Sequence, residues 1–292
     1  MNINMKYYIV TICAIFIALG VGILVGFNLN YDQALSKQQS EVLESFNTEF
    51  ESLKNKNKSL QSEIDNLDED VNTLKEFVDK NIDQLTQGVL TDKNTGIILT
   101  SENNDYSEKI EDLIEKANGT VSFNIMVREN INDKDKLDEL SKKLNKEFKS
   151  SQEVLNYIVD SLSSPKGYDE LYAMEDLGMI KINSIEENKY KDYDSVVLLG
   201  ELDKKDAKVK FNSNEKVILD RLKVNDKYLV AVGESKSDNS ILKLYSENKI
   251  STIDDIDEGI GQVSLINLLK DQNVVGNYGT SDISKELIAY KK

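Results

Sequence analysis

The sequence predicts an α/β protein: a single N-terminal transmembrane helix, a long parallel coiled coil, and a mostly parallel, Rossmann-like domain that binds no nucleotide. Three observations predict it. Residues 7–29, YYIVTICAIFIALGVGILVGFNL, contain no charged side chain. Apolar residues then recur with a seven-residue period from Leu43 to Leu85. From about residue 95, short apolar runs alternate with amphipathic segments, the pattern of strands and helices laid down in turn. The expected boundaries are an anchor over 1–30, a stalk over 31–90 and an α/β domain over 91–292.

As a helix the apolar stretch rises about 35 Å, enough to cross a hydrocarbon core with some tilt. A cleaved signal peptide is the competing reading. Its apolar core is normally shorter and ends in small residues, whereas Leu24, Val25 and Phe27 occupy the far end here, so an uncleaved anchor is expected. Lys6 precedes the span, and Lys37 is the first basic residue beyond it. The positive-inside rule then keeps the amino terminus in the cytoplasm and places the rest of the chain outside the cytoplasmic membrane. Ala14, Ala18, Gly22 and Gly26 form one stripe of small side chains, which lets two backbones approach closely in lipid. Glycine and alanine are also common in any membrane helix, but four in register ahead of a heptad repeat favour pairing.

The stalk has Leu43, Phe50, Asn57, Ile64, Val71, Val78 and Leu85 at position a. Position d holds Phe46, Leu53, Leu60, Leu67, Leu74 and Asn81. β-Branched residues at a with Leu at d favour two parallel strands, and a buried Asn57 would fix their register. Parallel pairing is also what two chains anchored by the same end require. Flanking charges are mixed: Glu49–Lys54 and Asp70–Lys75 attract across such a dimer, while Glu63–Asp68 repel. Exposed pairs of this kind count for little beside the seam. The alternative is one amphipathic helix folded back on the globular part. Extended, residues 43–85 reach about 65 Å.

In the domain, 96–101, 120–127, 179–184, 194–200 and 228–233 read as strands. Segments 106–118, 133–148, 152–163, 169–177, 213–225 and 257–271 read as helices. Pro165-Lys166-Gly167 makes the best internal break. The first strand leads into SENNDYSEKIEDL, which lacks the glycine-rich loop needed to cradle a pyrophosphate. Gly259-Ile260-Gly261 reads as close packing at a helix start. The acids Asp254, Asp255, Asp257 and Glu258 before it read as dipole partners of that helix, since they lack the spacing of a calcium loop. Asn118-Gly119 makes a turn ahead of a strand.

Net charge is −16 and the pI about 4.6, a balance unsuited to nucleic acid or anionic lipid surfaces. Histidine is absent and the one cysteine, Cys13, lies in the span. No intrachain disulfide, His- or Cys-based catalytic dyad or zinc site can form. No enzyme activity, cofactor or metal site is expected.

The amino-terminal IFIALGVGILVG (15–26), the heptad repeat, and the carboxy-terminal STIDDIDEGIGQVSLINLL and GNYG segments (251–279) resemble the MctB family of bacterial copper transport proteins. The specific positions are Asp254, Asp257, Gly261, Gly276, Asn277, Tyr278 and Gly279. The resemblance implies an anchored envelope protein linked to copper export or tolerance, a role tied in mycobacterial members to an outer membrane. The residues themselves point away from copper coordination by this chain. Cu(I) prefers thiolates and thioethers and Cu(II) imidazole, and outside the span only Met126, Met174 and Met179 are offered beyond the amino terminus. One helix cannot enclose a conduction path alone. Two functions therefore stand at this point: a copper transport or homeostasis component acting through a channel or other envelope partner, or a non-catalytic dimeric envelope scaffold with no copper role. The partners implied are a second copy of the chain and the lipid bilayer.

Overall fold

The computed structural model describes residues 5–102, 105–200, 207–238 and 240–290, without the side chains of 28–34. Helix α1 (Met5–Thr86) opens the chain. The chain forms two units, 1–71 and 72–292. In the first, residues Met5–Phe27 have a mean hydropathy of 2.8 and the length to cross a membrane. The second unit begins inside α1, so residues 72–90, read from the sequence as stalk, fold with the α/β elements.

Seven strands form one sheet: β1 (Asn94–Leu99), β2 (Thr120–Val127), β3 (Ile180–Ile185), β4 (Ser195–Leu199), β5 (Tyr228–Val232), β6 (Ser251–Ile253) and β7 (Asn277–Tyr278). Their spatial order is β3-β2-β1-β4-β5-β6-β7. Every pairing is parallel except β2–β3. The central strands are apolar along their whole length because both faces are covered. Alternation along β1 sends Ile97 and Leu99 to one core and Ile98 to the other.

The helices are α2 (Ser107–Lys116), α3 (Lys134–Leu144), α4 (Ser151–Ser161), α5 (Gly167–Asp176), α6 (Ala207–Lys210), α7 (Lys216–Val224), α8 (Ser240–Glu247) and α9 (Gly259–Asp271). A π turn, Phe211–Glu215, joins α6 to α7. α2, α9 and Ile82 of α1 pack on one face of the sheet, while α3, α4, α5, α7 and α8 pack on the other. The β4-to-β5 and β5-to-β6 crossovers thus lie on one face and β6-to-β7 on the opposite one. Since the chain moves in one direction throughout, the last crossover has the reverse hand, a rare arrangement. The helix expected over 133–148 stops at Asn145, which turns left-handed at φ 50°. Asn118 does the same at φ 65°, making the expected turn before β2.

Candidate functional site

The carboxyl ends of β5, β6 and β7 converge on the acidic run. Asp254 follows β6 directly, and its N–H donates to the Tyr278 carbonyl at 3.2 Å. Its carboxylate accepts from the Thr280 N–H at 2.8 Å and from the Ser281 N–H at 3.3 Å. The hydroxyls of Ser281 and Ser284 donate to it as well. Gly279 passes against this carboxylate with φ 126°, and a Cβ there would sit 2.0 Å from Oδ1. A Cβ on Gly276 would likewise run into the Tyr278 ring, 2.5 Å from its hydroxyl. The closing Gly-Asn-Tyr-Gly is therefore a loop shaped around Tyr278 and Asp254.

Asp257 holds a different segment. It accepts from the Ser235 N–H at 2.7 Å and the Ser235 hydroxyl at 2.8 Å, on the loop after β5. Glu258 forms an ion pair with Lys75 of α1 at 2.5 Å. Asp79, one turn further along α1, accepts from the Gly259 N–H at 2.7 Å. The α9 N-terminus is thus capped from α1, and the Glu258 side chain makes no cap bond. This refines the expectation that the local acids serve the helix dipole. At Gly261 a Cβ would meet the Asp255 carbonyl oxygen at 2.2 Å, so the expected close packing is present.

Asp255 stands apart. It is fully buried, and neither carboxylate oxygen has a hydrogen-bond partner. Burial pushes the carboxyl up to about 7, reinforced by Asp254, Glu258 and Asp257 and opposed by Lys75. The run thus clasps four segments, the end of α1, the loop after β5, the start of α9 and the C-terminal loop, around one unpaired acid. Among the described residues no three His, Cys, Asp or Glu side chains are placed to hold a metal ion. Asp254 is already occupied by protein donors.

The seam residues lie on α1. Phe50, Leu53, Leu60, Ile64 and Leu67 are exposed, as are Asn57, Val71 and Leu74. Val78 differs. It is buried within the α/β unit, between Lys75 and Asp79, which both reach the 258–259 segment. The exposed seam is therefore interrupted at Val78, and Leu85 beyond it is exposed again. Ala14, Ala18, Gly22 and Gly26 are exposed in the unit of residues 1–71. Lys75, expected from the sequence to face Asp70 across a dimer, pairs instead with Glu258 of its own chain, and Asp79 escapes a sequence reading because it sits off the a/d seam and its partner is far along the chain.

One apolar helix of membrane-spanning length ahead of a mostly parallel α/β unit, closed by a clasp on its terminal acidic motif, defines the class. The chain belongs to the MctB family, described as copper transport outer membrane proteins, whose family model matches residues 2–288. No curated protein sequence matches it.

Proposed function

We propose that this protein is a single-span component of copper transport or homeostasis that acts through a partner and does not conduct the metal itself. The family match over residues 2–288 carries the proposal. In this reading residues 7–29 sit in the cytoplasmic membrane, the amino terminus is inside, and the α/β unit lies outside. Two copies pair in parallel through the small-residue stripe and the seam from Leu43 to Leu74. Donor chemistry supports the indirect role: Met174 and Met179 are buried in one core and Met126 in the other. A thioether so placed is packing, not a ligand open to copper.

The test has two arms. A deletion strain should become copper-sensitive and regain tolerance when the gene is restored. The purified chain, titrated with Cu(I) against a competing chelator, should show no site of micromolar or tighter affinity. An unchanged copper tolerance would sink the reading. Tight stoichiometric binding would return the metal to this chain.

A second reading is favoured by one observation, the exposed heptad seam with no copper donor beside it. It makes the protein a non-catalytic dimeric scaffold of the cell envelope without a copper role. Normal copper tolerance in the deletion strain, together with co-purification of wall or division proteins, would select it.

A further inference from the structure

Among the described residues two carboxyls are buried with neither oxygen hydrogen-bonded, Glu215 and Asp255. Asp255 stands where segments far apart in the chain are joined. Its carbonyl accepts from the Glu258 N–H at 2.9 Å, which turns the acidic run into α9. Its side chain lies against the first turn of that helix, since a Cβ on Gly261 would be 2.6 Å from Oδ1. The same turn carries the fastening of α1. Lys75 pairs with Glu258, and Asp79 accepts from the Gly259 N–H across 180 residues of chain. Beside them Val78 is buried and Ile82 packs on the core.

Several charges bear on this carboxyl. Asp254, Asp257 and Glu258 disfavour its ionised form, and Lys75 favours it. Asp79 stands at the same helix start. The loop after β5 and the C-terminal loop bring the hydroxyls of Ser235, Ser281 and Ser284, which donate to Asp257 and Asp254 instead. A neutral Asp255 leaves Lys75 to Glu258. An ionised one is a buried charge without a hydrogen bond, a costly state. Two movements relieve it: Lys75 swings from Glu258 to Asp255, or α1 parts from α9 and admits water. Each undoes the fastening.

We propose that the junction of α1 with α9 is a proton-operated latch: while Asp255 is neutral, Lys75 and Asp79 hold α1 on the first turn of α9, and loss of the Asp255 proton lets it go. The latch needs neither copper nor a second chain. With burial the largest cause, the carboxyl in the closed latch holds its proton up to about 7, and once wetted by opening it returns toward 3.8. Opening therefore releases a proton at any pH between these values. The open population rises with pH across this window and levels off above it, where the closed form is ionised as well.

The test is hydrogen–deuterium exchange of the full chain in detergent micelles, read by mass spectrometry at pH 5, 6, 7 and 8. Parent and Asp255→Asn are compared at the same pH, which cancels the intrinsic pH dependence of exchange. In segments 75–86 and 258–263, exchange of the parent relative to the variant should grow at least about tenfold from pH 5 to pH 7 and then flatten. At pH 8 these two segments of the parent should exchange at least about tenfold faster than β1 and β4, because the latch opens while the sheet stays folded. Lys75→Met removes the fastening without touching residue 255 and should expose the same two segments already at pH 5. A ratio that does not grow with pH would overturn the proposal. Protection at pH 8 equal to that of β1 and β4 would overturn it too, since the junction would then open only when the whole unit unfolds. Unchanged protection of 75–86 in Lys75→Met would show that α1 is not held through this pair and overturn it equally.

Discussion

Position a of the heptad is 38% exposed at Val71 and 6% exposed at Val78, one repeat later in the same helix. That step separates two regions with opposite needs. From Met5 to Val71 the large apolar side chains stand exposed wherever they are described, whereas most of those in 72–292 fill two cores on either side of a sheet, with Leu74, Phe77 and Leu85 of α1 among the exceptions. The α/β unit buries its apolar surface with its own residues. The helix before it does not, and an isolated helix gains little from propensity alone. Its first part has the length and hydropathy to cross a membrane, and the seam from Leu43 to Leu74 is not covered by the chain's own described residues. In the proposed parallel pairing, a second identical chain would supply the covering surface with Leu facing Leu.

The largest effect should come from attacking the region that depends on others. Replacing both Leu60 and Leu67 with Asp puts two charges per chain into the seam and should convert a dimer of the full chain in detergent to monomer. Sedimentation reads the change, and the tyrosine near-UV signal of the α/β unit should stay as it was. If the unaltered chain already sediments as a monomer at micromolar concentration, the seam has no second copy and the contrast needs another partner.

Within the self-sufficient region, Asp254→Ala should act next most strongly. It leaves the Thr280 and Ser281 N–H groups and the Ser281 and Ser284 hydroxyls without their acceptor. Loss of charged hydrogen bonds and orphaned donors together should cost on the order of 3 kcal/mol. Thermal unfolding reads this loss. Asp257→Ala, which frees only Ser235, should cost less. Equal losses would mean that the C-terminal loop is not held in the way its hydrogen bonds indicate.

Legibility followed the same division. The apolar helix could be read because its signal is long and local. β1, β2, β4 and β5 were read within a residue or two because central parallel strands are continuous apolar runs. β6 and β7 were not read: three and two residues carry no period, and their places are set by Asp254 and Tyr278. β3 was read as a strand, but not as the one antiparallel member. α8 was missed because eight residues after a polar loop give a weak helical signal. In the clasp, Gly261 was visible as close packing at a helix start, whereas Gly279 was marked only by the family resemblance. Asp79 and Lys75 look like ordinary solvated charges on the stalk. Glu215 was invisible for a related reason: nothing local marks one glutamate among so many as buried.

Asp254 and its neighbour Asp255 repeat the larger contrast on a scale of one residue, the first saturated with donors and the second with none. Asp255→Asn sharpens it. The folded carboxyl holds its proton up to about 7, against 3.8 for an unperturbed aspartate. Below pH 3.8 the residue is protonated in both states and the variant should match the parent. Between 3.8 and 7 the unfolded chain has released a proton that the folded chain still binds, so the parent loses stability as pH rises. Above 7 the deficit is constant. The advantage of asparagine should therefore grow from nothing near pH 4 to about 4 kcal/mol at pH 8, the equivalent of a rise from 3.8 to about 7. Asp254, Asp257, Glu258 and Lys75 all bear on this carboxyl, and the rest of the chain titrates too. The quantity to follow is thus the difference between variant and parent unfolding curves at each pH. A difference that stays flat from pH 4 to 8 would mean that Asp255 is ionised in the folded chain throughout, with Lys75 or water as its partner.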